Sequence, residues 1–284
     1  MLKLHVLGVG DAFTERYHNA CLCVEEPQSG TRLLLDCPPA LPRVLADHRE
    51  RTLSDLAVHN IDHVLLTHLH GDHCGGLEAY LFMRRFLVRR RPFLYGAKEV
   101  LDPLWDTRLR GGMAHLLPCV PEYSQSEVDA CLASPSYLRP ETDEPAQRAL
   151  KTLPSIDKEL SLADYAHRID LAPRTEIGPL VIERRFTRHH IPTTALRISL
   201  VGQSSPLLGY SADTAFDPDL IAWLSPSQLV VHETNFGVHT PLHALMLLPD
   251  SLREKLRLIH YPDLLDREHS PILCLKQGTI LTLA

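Results

Sequence analysis

Thr67-His68-Leu69-His70-Gly71-Asp72-His73 is the stretch on which the reading of this chain turns. An apolar run, Ile61 to Thr67, leads into it and reads as a short buried strand. A stretch from Gly76 to Arg90 follows it, with Leu77, Tyr80, Leu81 and Val88 near one helical face. Four side chains able to ligate a metal therefore crowd together where a strand hands over to a helix. Alternation in an extended segment puts His68 and His70 on one side, while Asp72 and His73 turn toward a second position. Three imidazoles and a carboxylate are donors that a borderline ion such as zinc takes. The plain alternative is a polar loop of solvated histidines. Spacing, composition and strand context together favour the metal.

Outward from this stretch the chain reads as strands with helices following them. Leu2 to Val9, Ala20 to Glu25, Thr31 to Asp36 and Phe93 to Gly96 read as strands, with Pro27-Gln28-Ser29-Gly30 as a hairpin turn. Leu41 to Leu56 reads as helical. Strands resume at Leu180 to Phe186, Ala195 to Val201, Leu207 to Tyr210, Gln228 to Val231 and Leu256 to His260, with short runs near Ile272 and Ile280. The alternation predicts α/β layers with mixed sheets. Residues 101 to 178 differ: prolines at 118, 121, 135, 140, 145 and 154 break them repeatedly. They read as loops and short helices inserted on a single domain spanning 1–284. The expectation is that about 97–178 covers the site and sets substrate choice; a homodimerisation arm is the alternative.

Composition excludes other classes. With 44% apolar and 23% charged residues over 284, the chain is neither disordered nor collagen-like nor a coiled coil. Lys+Arg of 29 against Asp+Glu of 35 gives a net charge of −6, against a broadly basic nucleic-acid surface. No apolar run approaches the roughly 18–20 residues of a membrane span, and the start of the chain is too interrupted for a signal peptide. The 7 scattered cysteines form no CxxC pair, which predicts reduced thiols and a cytoplasmic protein. The arginines at 84, 85, 89, 90 and 91 read as an exposed helix face or, less simply, as a phosphate contact. There is no GxSxG elbow and no P-loop.

The HxHxDH form resembles the metallo-β-lactamase superfamily, nearest its ribonuclease Z and phosphodiesterase branch. Leu7-Gly8-Val9-Gly10 and Leu34-Leu35-Asp36-Cys37 are similar to that superfamily's opening strands. Gly209 to Thr214 looks like its bridging-aspartate strand. Val231-His232-Glu233-Thr234-Asn235-Phe236 is similar to a segment of the ribonuclease Z branch, and Leu258-Ile259-His260-Tyr261 to the final ligand strand. Residues 97–178 match nothing in the pattern.

The resemblance implies a four-layer αββα sandwich of two mixed β-sheets flanked by helices. It implies two divalent metal ions, zinc before manganese or iron, and a metal-bridging hydroxide that attacks a phosphodiester, either RNA or a small cyclic or nucleotide diester. An ester or lactone hydrolase and a non-catalytic metal-binding regulator are the alternatives. Carried onto this sequence, His68, His70 and a histidine near 189 hold one metal; Asp72, His73 and His260 hold the other; Asp213 bridges. Arg188-His189-His190 offers two candidates, and the arginine found eight residues later in similar sequences is Arg197, which selects His189. His190 is then expected to face away. Asp36 and His232 are expected to support the ligands. Asp72, Glu233 and His239 are the expected proton-transfer groups.

Overall fold

A computed structural model describes residues 1–115 and 159–284. The chain divides into two compact units, Met1–Arg108 with Leu162–Ala284, and Leu109–Ser161. In the second, the described residues hold one short helix, Arg110–Met113, and Arg110 pairs with Glu159 at 2.8 Å.

The first unit is built on two mixed sheets. Strands β1 (Leu2–Gly8), β2 (Cys21–Glu26), β3 (Thr31–Leu35), β4 (His63–Leu65), β5 (Phe93–Gly96), β6 (His167–Asp170) and a C-terminal strand (Thr279–Leu283) form one sheet. The C-terminal strand lies on the outer side of β1, and β1 to β6 follow in chain order. Pairing is antiparallel from the C-terminal strand through β3 and parallel from β3 to β6. The second sheet runs β7 (Arg174–Ile177), β8 (Leu180–Phe186), β9 (Thr194–Leu200), β10 (Leu208–Tyr210), β11 (Leu229–Glu233) and β12 (Leu256–Ile259) in order.

The inner faces of the sheets share one core. Leu4, Val6, Leu22 and Val24 of the first meet Leu180, Ile182, Leu196 and Ile198 of the second, all nearly free of solvent. Helices cover the outer faces. On the first sheet they include α1 (Leu41–Thr52), which buries Leu41, Val44 and Leu45, α2 (Gly71–Cys74), and α3 (Leu77–Met83), which buries Leu77, Tyr80 and Leu81. The expected α/β architecture of two mixed sheets with flanking helices is the one observed. No helix among the described residues is long and apolar enough to cross a membrane.

Several expectations need correction. The region from 101 to 178 is not wholly loops and helices. His167–Asp170 and Arg174–Ile177 are strands, one at an edge of each sheet. Their polar sequences hid them, because an edge strand exposes most of its side chains. The apolar run at 61–67 gives only three residues of strand, since the Asp36 carboxylate takes the Thr67 N–H at 2.7 Å and draws the chain away. The run near Ile272 is no strand; it contributes a single bridge from Cys274 to Leu258. The helix after HxHxDH ends in a π turn, Arg84–Val88. There Arg84 is fully buried, donating to the Val58 and His59 carbonyls and to Asp62. Arg85 and Arg91 donate to the carbonyls of Asp164 and Ala163. Arg84 and Arg85 thus fasten the layer from within, while Arg89, Arg90 and Arg91 are exposed, as a helix end facing solvent requires. The prolines at 118, 121, 135, 140, 145 and 154 lie outside the described residues.

Candidate metal centre

Each predicted metal ligand stands at or just past the carboxyl end of a strand, where α/β sheets place ligands, and His239 lies farther on, in the loop after β11. Asp36 follows β3, the HxHxDH loop follows β4, and His189 follows β8. Asp213 follows β10, Glu233 ends β11 and His260 follows β12. Three of these turns use left-handed backbone without glycine: Asp36 at φ 65°, Ala212 at φ 49° and His260 at φ 54°. Such conformations persist only where surrounding contacts impose them, and they cluster at functional sites.

The loops bring the candidate ligands into two groups. His68, His70, His189 and Asp213 each present a ligand atom within 4.8 Å of the others, and so do Asp72, His73 and His260; Asp213, His239 and His260 make a third such set that overlaps both. His70 Nδ1 lies 3.1 Å from His68 Nε2 and 3.2 Å from His189 Nε2. His260 Nε2 lies 3.2 Å from Asp72. Asp213 joins the groups: its carboxylate is 3.6 Å from His68, 3.4 Å from His73 and 3.6 Å from His260. Among the described residues, His73 Nε2, which faces Asp72 and Asp213, is buried without a hydrogen-bond partner, while His189 and His260 turn Nε2 to the cluster and keep Nδ1 buried and unpartnered on the far side of the ring. A polar interior so dense in nitrogen and carboxylate oxygen, with donors left open, suits a divalent cation.

The electrostatics follow from burial set against the carboxylates. Burial pulls His68 well below the ordinary imidazole range and His189 down to about 4. Burial also opposes the charged form of His73, but Asp213 and Asp36 outweigh it and raise His73 well above that range. Burial works against the Asp213 carboxylate, yet His260 and His73 hold it well below the carboxylate range.

A supporting layer orients the imidazoles. Asp36, fully buried, lies 2.9 Å from His73 Nδ1 and accepts from the Thr67 hydroxyl at 2.8 Å. That hydroxyl lies 2.9 Å from His68 Nδ1. Thr67 was not singled out from the sequence; its place immediately before the first histidine was the available signal. Glu233 accepts from the Thr214 N–H at 2.8 Å and lies 2.9 Å from His239 Nδ1, and His239 reaches within 4.0 Å of Asp213.

Two predicted positions differ. His232 is buried beside the Glu233 carbonyl, 2.7 Å from its Nδ1, and takes no part in the cluster. Neighbouring residues of a strand point oppositely, so with Glu233 facing the site, His232 faces away. His190 does not face away: its ring centre is 4.6 Å from that of His70, although no nitrogen of His190 joins either group. A cavity of about 460 Å³ opens beside His70, lined also by Leu69, Ile191, Pro192 and residues from Glu99 to Arg108. Cys74 is buried below the loop, and desolvation pushes its thiol up to about 11. Cys21, Cys23, Cys37 and Cys274 are free as well.

Comparison with known proteins agrees with this architecture. The chain is similar to the human short-form tRNase Z (18% identity, TM-score 0.61, 99% of each chain) and to a diphosphatase of the PhnP family (14%, 0.62, 99% of this chain and 98% of that one). It is also similar to the metallo-β-lactamase fold protein YhfI of Bacillus subtilis (16%, 0.67, 99% and 98%). Among sequences, it is 28% identical over 277 residues to the anti-Pycsar protein Apyc1 of Paenibacillus harenae, covering 94% of this chain and 92% of that one. It is 32% identical over 272 residues to the Apyc1 of Paenibacillus sp. (strain J14), covering 92% and 90%. The family model "Anti-Pycsar protein Apyc1" matches residues 2–119 and 147–277. The chain has the metallo-β-lactamase fold of these structures and belongs to the anti-Pycsar protein Apyc1 family.

Proposed function

We propose that this metal-dependent hydrolase cleaves a small phosphodiester, a cyclic or other nucleotide diester, using two divalent ions, with zinc as the first choice of metal. The observation that carries the reading is the meeting of two ligand groups at one buried carboxylate, Asp213. His68, His70 and His189 would hold one ion, Asp72, His73 and His260 the other, and Asp213 would serve both. Such a pair supplies Lewis-acid polarisation of a phosphoryl group and a water-derived nucleophile at neutral pH.

The chain's own residues do the rest. Asp36 and Thr67 orient His73 and His68 through hydrogen bonds to their second nitrogens. Glu233 holds His239 at the edge of the cluster, where its imidazole can pass a proton to a leaving oxygen; Asp72 is the second candidate for proton transfer. A cavity of about 460 Å³ beside His70 suits one nucleotide better than a length of RNA. The net charge of −6 argues in the same direction. The names of the solved neighbours add that this fold carries phosphorus chemistry in other proteins. Residues 97–178 are read as a cover, supported by the placement of Glu99 to Arg108 on the cavity, and the free thiols fit a reducing cytoplasm.

Protein purified without chelator should carry about two metal ions per chain by elemental analysis. It should hydrolyse bis-p-nitrophenyl phosphate and cyclic nucleotides in preference to lactones. Metal content near zero after reconstitution, or lactone turnover exceeding that of every diester, overturns the proposal.

A further inference from the structure

The helix that opens the expected cover carries chemistry that the metal cluster does not use. α4 (Lys98–Leu104) continues without a break into a π turn, Trp105–Leu109. Along it Glu99, Pro103 and Thr107 recur at helical spacing, with Val100 and Arg108 beside them, and these five line the cavity next to His70. Charges on the helix divide by face. Lys98 is paired with Asp102, which also takes Arg168 at 2.6 Å. Glu99 and Arg108, on the cavity side, make no ion pair or hydrogen bond among the described residues. The remaining wall is largely apolar, from Leu69, Ile191 and Pro192. A guanidinium without an acceptor beside apolar walls is a rigid fork of donors open to a ligand. The π turn widens the helix where Arg108 leaves it, a distortion concentrated at functional sites.

We infer that this cavity is a nucleobase subsite in which Arg108 determines specificity by donating to ring-nitrogen or carbonyl acceptors of the base, while Glu99 accepts from an exocyclic amine. The inference rests on the phosphodiester reading. With the phosphoryl group at the His68–His260 cluster, the part of a nucleotide that leaves it past His70 enters this cavity. Apolar walls suit the faces of a flat heteroaromatic ring, and an acid and a base suit its edge. An amine-bearing base is therefore preferred over uracil.

The test uses the full-length, metal-loaded protein with Arg108→Ala, Arg108→Lys and Thr107→Trp, all at exposed positions, the last obstructing the cavity without touching a charge. Each is assayed on cyclic nucleotides of the four bases and on methyl p-nitrophenyl phosphate, which has no base. Affinity for the corresponding nucleoside monophosphates is measured by calorimetry. Arg108→Ala should raise KM for amine-bearing nucleotides about tenfold or more, with a much smaller change in kcat and a smaller loss on the base-free diester. Arg108→Lys should keep the charge but not the ranking of bases. Equal losses on nucleotide and base-free substrates, or unchanged KM and monophosphate affinity, overturn the inference. If the unaltered protein cleaves no diester, but monophosphate binding weakens in Arg108→Ala, the subsite stands and the phosphodiester reading falls. If diester cleavage is indifferent to all three variants, the subsite falls and the phosphodiester reading stands.

Discussion

Two groups of buried histidines occupy this protein, and they are held on opposite terms. At the strand ends His68, His70, His73, His189 and His260 share Asp36, Asp72 and Asp213; His73 lies within 3.4 Å of all three carboxylates. Against the outer face of the first sheet, His5 of β1 meets His48 of α1, Nδ1 to Nε2 at 3.1 Å. There one carboxylate, Glu25, lies 3.4 Å from His5, His48 reaches only the His5 ring, and His48 Nδ1 has no partner among the described residues. Burial lowers the pKa in both places. Only the first group has enough carboxylate to reverse it, at His73 and His260. A histidine pair buried with little compensation is a packing element; imidazoles interleaved with carboxylates are a site for a cation.

The comparison breaks most sharply at Asp213, the carboxylate that joins both ligand groups. Asp213→Ala should cut diester turnover by about 10²-fold or more, because a misplaced reacting geometry costs that much. A circular dichroism spectrum should show the fold retained. Wild-type turnover in this variant would mean that the two groups do not act together.

Next in size is the contrast between His189 and His190. Both rings stand near His70, but only His189 directs a nitrogen into the cluster, with its side chain wholly buried, whereas His190 is exposed. His189→Ala should lower metal content measurably by elemental analysis, and His190→Ala should leave it nearly unchanged. The reverse pattern would exchange their roles. Asp36→Asn should act more mildly, weakening metal affinity about 10- to 100-fold in a chelator competition while every ligand remains. Unaltered affinity would make Asp36 a strand terminator only.

Much of this was legible in the sequence, and the reasons are physical. Apolar runs such as Leu180 to Phe186 and Phe93 to Gly96 are strands buried enough for composition to announce them, and their limits match the structure. HxHxDH is local, so four candidate ligands could be read from one loop. Asp213 and His260 lie far away in the chain, and only their order along a resembling pattern pointed to them. His–Asp36–Thr67 contacts were half legible, since Asp36 ends a strand but the hydroxyl relay through Thr67 depends on side-chain reach. The edge strands at 167–170 and 174–177 were hidden because polar exposed residues carry no period. His232 was misread because its neighbour Glu233 claims the inward face of the same strand. Glu99 and Arg108 are ordinary surface residues until the helix is seen to line a cavity.

The smallest expected effect sharpens the second half of the comparison. Burial lowers His48 from an ordinary 6.5 to about 4, and it also lowers His5, where Glu25 opposes the shift and Arg32 and Lys3 add to it. An unfolded chain binds a proton at each ring as pH falls through about 6.5, while the folded chain resists down to about 4 at His48. The stability that depends on neutral rings is therefore complete above about pH 6.5 and lost progressively between there and about 4. By about pH 5, the mildly acidic part of this range, the loss is on the order of 1–2 kcal/mol. Metal ligands also protonate in acid, so the quantity to measure is a difference: urea unfolding of wild type and His48→Leu in chelator, at matched pH values from neutral to mildly acidic. The leucine keeps an apolar volume against the sheet and removes the ring that most resists protonation. Its stability should fall less steeply than that of wild type over this window. Parallel curves would mean that the pair is neutral packing with no hold on acid stability, and that the metal-site histidines alone set the acid limit of the fold.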